Sequence, residues 1–126
     1  MEIPKDYKYS KEHTWLQLLN DSQALVGITE FAQSELGEIV YVDLPSIGKP
    51  FKKDEVFGSV EALKTTSDLY MPVSGEITEV NTALKDNATL INSDPFTEGW
   101  LTKIKLSDAD EIETLLNAGS YNDLVK

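Results

Sequence analysis

The spacing of apolar positions changes character along the chain. From His13 to Gly27, HTWLQLLNDSQALVG, two apolar runs flank Asn20-Asp21-Ser22. These polar side chains bond their own backbone, so the pattern predicts two strands and a tight turn. The next stretch, ITEFAQSELG, predicts one short helix. Thr29 is its N-cap, Glu30 lies in its first turn and Gly37 stops it. From residue 37 to 104 the chain reads as strand after strand. Ile39, Tyr41 and Asp43 alternate with Val40, Val42 and Leu44, and Pro45-Ser46-Ile47-Gly48 breaks the run. Gly75 to Asn81 and Gly99 to Leu106 are further strands.

Between them lies VEALKTTSDLY, Val60 to Tyr70. Glu, Ala, Leu and Lys favour a helix, but Gly58, the β-branched Thr65-Thr66 and Pro72 oppose one. Read as strands, Val56, Gly58, Val60 and Ala62 share a face, as do Leu69, Met71 and Val73. This predicts a hairpin with Lys64 at or near its tip.

The end of the chain changes again. Ser107-Asp108-Ala109-Asp110 resembles a capping box, Ile112, Leu115 and Leu116 form a helical stripe, and Gly119 stops it. Gly37-Glu38-Ile39 and Gly75-Glu76-Ile77 form a faint repeat at an offset of 38 residues, and two similar halves would let two sheets face each other. The expected architecture is a mostly β sandwich or flattened barrel with short peripheral helices and a C-terminal helix. Its 126 residues suit one domain, with a core over roughly 7–106 and a helical segment over 107–125.

Composition removes most chemistries. The chain has no cysteine and one histidine, His13, so it offers no disulfide, thiolate metal site or cysteine nucleophile. Zinc would need its ligands almost wholly from carboxylates, which it seldom accepts. The net charge of −11, with no basic run beyond Lys52-Lys53, argues against nucleic acid and anionic membranes as partners. No apolar window is long enough to span a bilayer, and the first residues show no leader pattern, so the expected location is the cytoplasm. Phe57 to Thr65 lacks the second glycine of a phosphate loop. His13 beside Trp15 has no nucleophile paired with it in sequence. The residues alone leave Lys64 open between a solvated charge and a modification point.

Several runs together resemble the H protein of the glycine cleavage system. They are Tyr9-Ser10-Lys11-Glu12-His13 with Trp15; VGITEFAQSELGEIVYVDLP from Val26; GSVEALKTTSDLYMPVSGEITEVN from Gly58; and LINSDPFTEGWLTKIK from Leu90. The resemblance implies a lipoyl-domain-like β-sandwich and a monomeric, non-catalytic carrier. It implies lipoic acid amide-linked to Lys64, and partners that are glycine decarboxylase, an aminomethyltransferase, dihydrolipoyl dehydrogenase and lipoyl-attaching enzymes. The arm would take an aminomethyl group from the decarboxylase, yield it to the transferase and be reoxidised by the dehydrogenase. The cofactor would supply the sulfur that the cysteine-free chain lacks. Asp68 matches a position near the arm, where it pairs with the loaded amine or stabilises the turn. The family often has His-Glu-Trp where this chain has His13-Thr14-Trp15, so one carboxylate is missing. Biotinyl domains share the fold and often read Glu-Ala-Met-Lys-Met. Glu61-Ala62-Leu63-Lys64-Thr65 keeps the first half of that pattern and loses both methionines.

Overall fold

The computed structural model describes residues 3–125. Among these residues nine strands form two open antiparallel sheets. In chain order the strands are β1 (Lys8–Tyr9), β2 (Thr14–Leu18), β3 (Gln23–Ile28), β4 (Ile39–Asp43), β5 (Pro50–Phe51), β6 (Val56–Ala62), β7 (Thr66–Tyr70), β8 (Gly75–Val80) and β9 (Thr102–Leu106). The larger sheet has the order β1-β2-β3-β9-β8-β5 and the smaller β4-β6-β7. The helices are α1 (Glu30–Leu36), α2 (Ala83–Asp86), α3 (Leu90–Ser93), a 3-10 turn (Ala109–Thr114) and α4 (Ala118–Val125).

Local chemistry sets the boundaries. The Asn20 side chain accepts from the backbone N–H groups of Ser22 and Gln23, which closes the β2–β3 turn. Thr29 caps α1 by accepting from Ala32 N at 3.2 Å, and Gly37 ends it at φ +83°. Leu16, Ala24, Val26, Ile77 and Ile104 of the larger sheet and Ile39, Val42, Val60, Ala62 and Leu69 of the smaller form one buried core. The repeat falls one copy to each sheet, opening β4 and β8. Its isoleucines, Ile39 and Ile77, are both fully buried.

Two β-bulges depart from strict alternation. In β4 the register shifts between Ile39 and Tyr41, so Ile39 and Val42 face inward while Val40 and Tyr41 both face solvent. In β6 it shifts between Val56 and Gly58. Phe57 is buried and Val56 exposed, so Val56 does not share the face of Val60 and Ala62. Gly58 sits where a Cβ would collide with the Asp43 carbonyl oxygen, so this close approach admits only glycine.

The C-terminal stripe is not one helix. The cap is Asp108 rather than Ser107, accepting from Asp110 N at 3.0 Å. After the 3-10 turn, Leu115 is extended, and Leu116 exchanges two backbone hydrogen bonds with Tyr9, at 2.8 and 2.7 Å. That pairing overrides helical propensity. The chain restarts as α4, where Asn117 accepts from Ser120 N at 2.8 Å, and Gly119 lies inside the helix instead of ending it. Tyr121 of α4 is buried with Ile3, Tyr7, Tyr9 and Trp15 in a second, aromatic cluster. It stacks on Tyr9 at a ring separation of 4.9 Å. Trp15 belongs to this core, its indole N–H donating to Pro95 O at 2.9 Å.

Candidate functional site

The hairpin that carries Lys64 is built by β6 and β7, paired Val60 to Ser67 and Glu61 to Thr66. Ala62 N donates to Thr65 O at 2.8 Å, which leaves Leu63 and Lys64 as the turn. Cross-strand pairing wins over the helical propensity of Glu-Ala-Leu-Lys. Leu63 N donates to Glu38 O at 3.3 Å and ties the tip to the start of β4. Lys64 is exposed, and it joins no ion pair among the described residues. Its ammonium is therefore open to an enzyme that would acylate it.

The solvent face of this sheet carries two cross-strand rows, Tyr41–Glu61–Thr66 and Asp43–Ser59–Asp68. Three carboxylates thus stand behind the lysine. The opposite face of the hairpin leads into a cleft of about 330 Å³ between β6–β7 and α1. Val60 and Ser67 line it, and Ser67 lies three residues beyond Lys64, roughly 10 Å along a strand. Ile28, Ala32, Leu36 and Leu69 supply an apolar lining and Glu12 and Glu35 are acidic residues of its wall, while Asp68, in the outer row of the edge strand β7, borders the cleft at its rim.

Asp68 is an exposed residue of the cleft rim, and its carboxylate makes no hydrogen bond to the turn. Thr14 also lines the cleft but is spoken for: it is 1% exposed, its hydroxyl contacts Ser10 Oγ at 2.6 Å and donates to Tyr70 O at 3.2 Å. The hydroxyl at the position where the resemblance leads one to expect a carboxylate pins the start of β2 to the end of β7.

His13 takes a left-handed conformation, φ +67°, which histidine tolerates better than most residues. Its ring packs on Phe31 at 4.8 Å, and Nδ1 lies 2.8 Å from the Tyr121 hydroxyl. That hydroxyl in turn lies 2.7 Å from Thr29 Oγ1. Burial lowers the His13 pKa from its ordinary 6.5, opposed by the charges of Glu12 and Glu35. The ring is therefore neutral at neutral pH. Burial also raises the Tyr121 phenol above its usual 10.0. Among the described residues no carboxylate hydrogen-bonds the imidazole, so these side chains do not form a hydrolytic triad.

Sequence reading found Lys64, Asp68, Thr14 and His13, and the fold places the last three around one cleft. It missed Glu12, Glu35, Phe31 and Tyr121 as parts of that site. Tyr121 is 108 residues from His13, and no local spacing signals such a contact. Among the described residues no group of three or more histidine or acidic side chains is arranged to hold a metal, and no helix is long and apolar enough to cross a membrane.

A family model described as glycine cleavage H-protein matches residues 7–126. A glycine cleavage system H protein of Chlorobium phaeobacteroides is 54% identical, over 99% of this chain and 98% of that protein. One from Bacillus licheniformis is 48% identical over 100% of this chain and 98% of its own length. The crystal structure of a glycine cleavage system H protein from Mycobacterium marinum superposes with a TM-score of 0.88 at 39% identity, covering 96% of this chain and 97% of that one.

Proposed function

The chain belongs to the glycine cleavage H-protein family, and from that membership we propose that it carries lipoic acid on Lys64. In this reading it serves glycine decarboxylase, the aminomethyltransferase and dihydrolipoyl dehydrogenase in turn. The observation that carries the reading is the hairpin itself: an exposed lysine, without an ion pair among the described residues, at a two-residue tip whose strands run back into a cleft. When attached, the lipoyl group supplies reversible disulfide–dithiol chemistry and a sulfur that carries the aminomethyl group of glycine.

The chain's own residues supply presentation and shelter. The rigid β6–β7 pairing holds the attachment point clear of the core. Acylation turns an ammonium into an amide, which enters an apolar lining at lower cost than a charge. Ile28, Leu36 and Leu69 exclude water beside it, and the carboxylates of Glu12, Glu35 and Asp68 offer partners for a cationic group. The acidic surface of the whole chain steers it toward partners with basic rims.

Intact-mass analysis of protein made together with a lipoyl-attaching enzyme tests the assignment. The expected result is one lipoyl increment that maps to the Lys64 peptide and is absent in Lys64→Arg. A biotin increment, or lipoylation at another lysine, overturns it. Reconstituted glycine–bicarbonate exchange with a decarboxylase tests the shuttle. A lipoylated protein that fails there yet donates its lipoyl group to other enzymes is a relay for the cofactor instead.

A further inference from the structure

The protons of a buried chain of three side chains can be assigned by counting. Thr29 and Tyr121 are both fully buried, so each hydroxyl hydrogen must find a protein acceptor. Thr29 Oγ1 already accepts from Ala32 N, and its remaining contact is the Tyr121 oxygen at 2.7 Å. Its hydrogen therefore goes to Tyr121. The Tyr121 hydrogen then has one acceptor left, His13 Nδ1 at 2.8 Å. The reverse order would have Nδ1–H donate to Tyr121 and Tyr121 donate to Thr29. That leaves the Thr29 hydrogen buried with no partner, at the full desolvation cost of a hydroxyl. In a neutral imidazole with Nδ1 accepting, the proton sits on Nε2. Nε2 has no protein partner among the described residues, and the ring lines the cleft.

We propose that the order Thr29→Tyr121→His13 fixes His13 as the Nε2–H form, and that His13 offers this N–H as a hydrogen-bond donor to the acylated Lys64 arm lying in the cleft. The proposal rests on the carrier reading for the identity of the arm, but the proton order does not. It divides the cleft by chemistry. Glu12, Glu35 and Asp68 accept from a cationic group, whereas His13 donates to an electron-rich atom such as an amide oxygen or a sulfur. His13 is thus a binding residue, and Tyr121 and Thr29 are positioning residues that act through it. The lowered pKa of the ring agrees with this arrangement, because protonation of Nδ1 would break its bond from Tyr121.

The first test needs no cofactor. Long-range proton–nitrogen NMR of the unmodified protein is expected to show an unprotonated Nδ1 and a protonated Nε2 at His13. A protonated Nδ1 overturns the assignment. Tyr121→Phe keeps the ring that stacks on Tyr9 and removes the hydroxyl, so the two tautomers should mix. A retained single Nε2–H form shows that Tyr121 does not set it. Should that variant fail to fold, His13→Asn decides the binding role. Asparagine tolerates left-handed backbone and keeps an acceptor near the Nδ1 position, but its shorter side chain places no donor at the Nε2 position. On lipoylated protein, chemical-shift changes at Phe31 and Leu69 report the arm in the cleft. His13→Asn is expected to lower that occupancy about two- to tenfold, the worth of one neutral hydrogen bond. Unchanged occupancy overturns the donor role. Failure of Lys64 to accept lipoate would refute the carrier reading and the arm as acceptor, while the tautomer result would stand.

Discussion

Replacing Thr14 by valine tests whether the hydroxyl in the cleft wall is structural. Valine has nearly the same shape and β-branching, so β2 should keep its packing and only the oxygen is lost. The Thr14 hydroxyl donates to Tyr70 O and contacts Ser10 Oγ at a site 1% exposed. Its donation to Tyr70 requires Ser10 to donate to it. Valine therefore leaves the Tyr70 carbonyl and the Ser10 hydrogen without their partners in a place water scarcely reaches. Removing one side of buried hydrogen bonds costs about 1–3 kcal/mol. For a chain of this length that corresponds to a fall in Tm of about 3–5 °C for each kcal/mol. Urea and thermal unfolding monitored by circular dichroism measure it, with Thr14→Ser as the control that keeps the hydroxyl. A valine variant within about 0.5 kcal/mol of wild type, the range of an inert surface change, would refute the claim that this hydroxyl ties β2 to β7.

Lys64→Arg should abolish lipoylation by mass while shifting stability by less than about 0.5 kcal/mol, because the side chain is exposed at a turn. Gly58→Ala should lose about 1–3 kcal/mol in urea unfolding, since its Cβ would meet the Asp43 carbonyl and force the β4–β6 pairing apart. The His13 pKa is lowered from 6.5 by burial, so the unfolded chain binds a proton there at a higher pH than the folded chain does. Stability from this group should be intact above 6.5 and decline as pH falls through it, until the folded ring protonates too. The urea midpoint of wild type should accordingly drop more steeply than that of His13→Asn below that pH. Parallel curves would show that His13 is not the group responsible.

What could be read from the sequence follows the range of the interactions involved. The Asn20 turn, the Thr29 cap and the Lys64 hairpin are set by residues within a few positions of one another, and each is found where its local chemistry places it. The bulges at Tyr41 and Phe57 escaped because they are settled by a neighbouring strand, with Gly58 pressed on Asp43. β1 and β5, of two residues each, are too short to show a period. The C-terminal stripe misled for a related reason: Leu116 finds a strand partner in Tyr9, over a hundred residues away, and Gly119 then falls inside a new helix. At the site, the lysine was visible through its turn and the family's surrounding runs. The Thr29–Tyr121–His13 chain joins three distant segments and left no mark in spacing.

The smaller sheet has the order β4-β6-β7, so β4 and β7 are its edge strands, held among the described residues only at single points by Asn92 at Ile39 N and by Thr14 at Tyr70 O. A free edge invites a second copy to add its own strand, the first step of uncontrolled aggregation. A tip that must stay reachable cannot be covered to prevent this. Here the bulge breaks the ladder of β4, and Asp43, Glu61 and Asp68 put negative charge across the sheet. An approaching copy would meet a kinked backbone and its own charges mirrored. The same carboxylates that stand behind Lys64 thus keep neighbouring copies apart, so the hairpin can remain uncovered without becoming sticky.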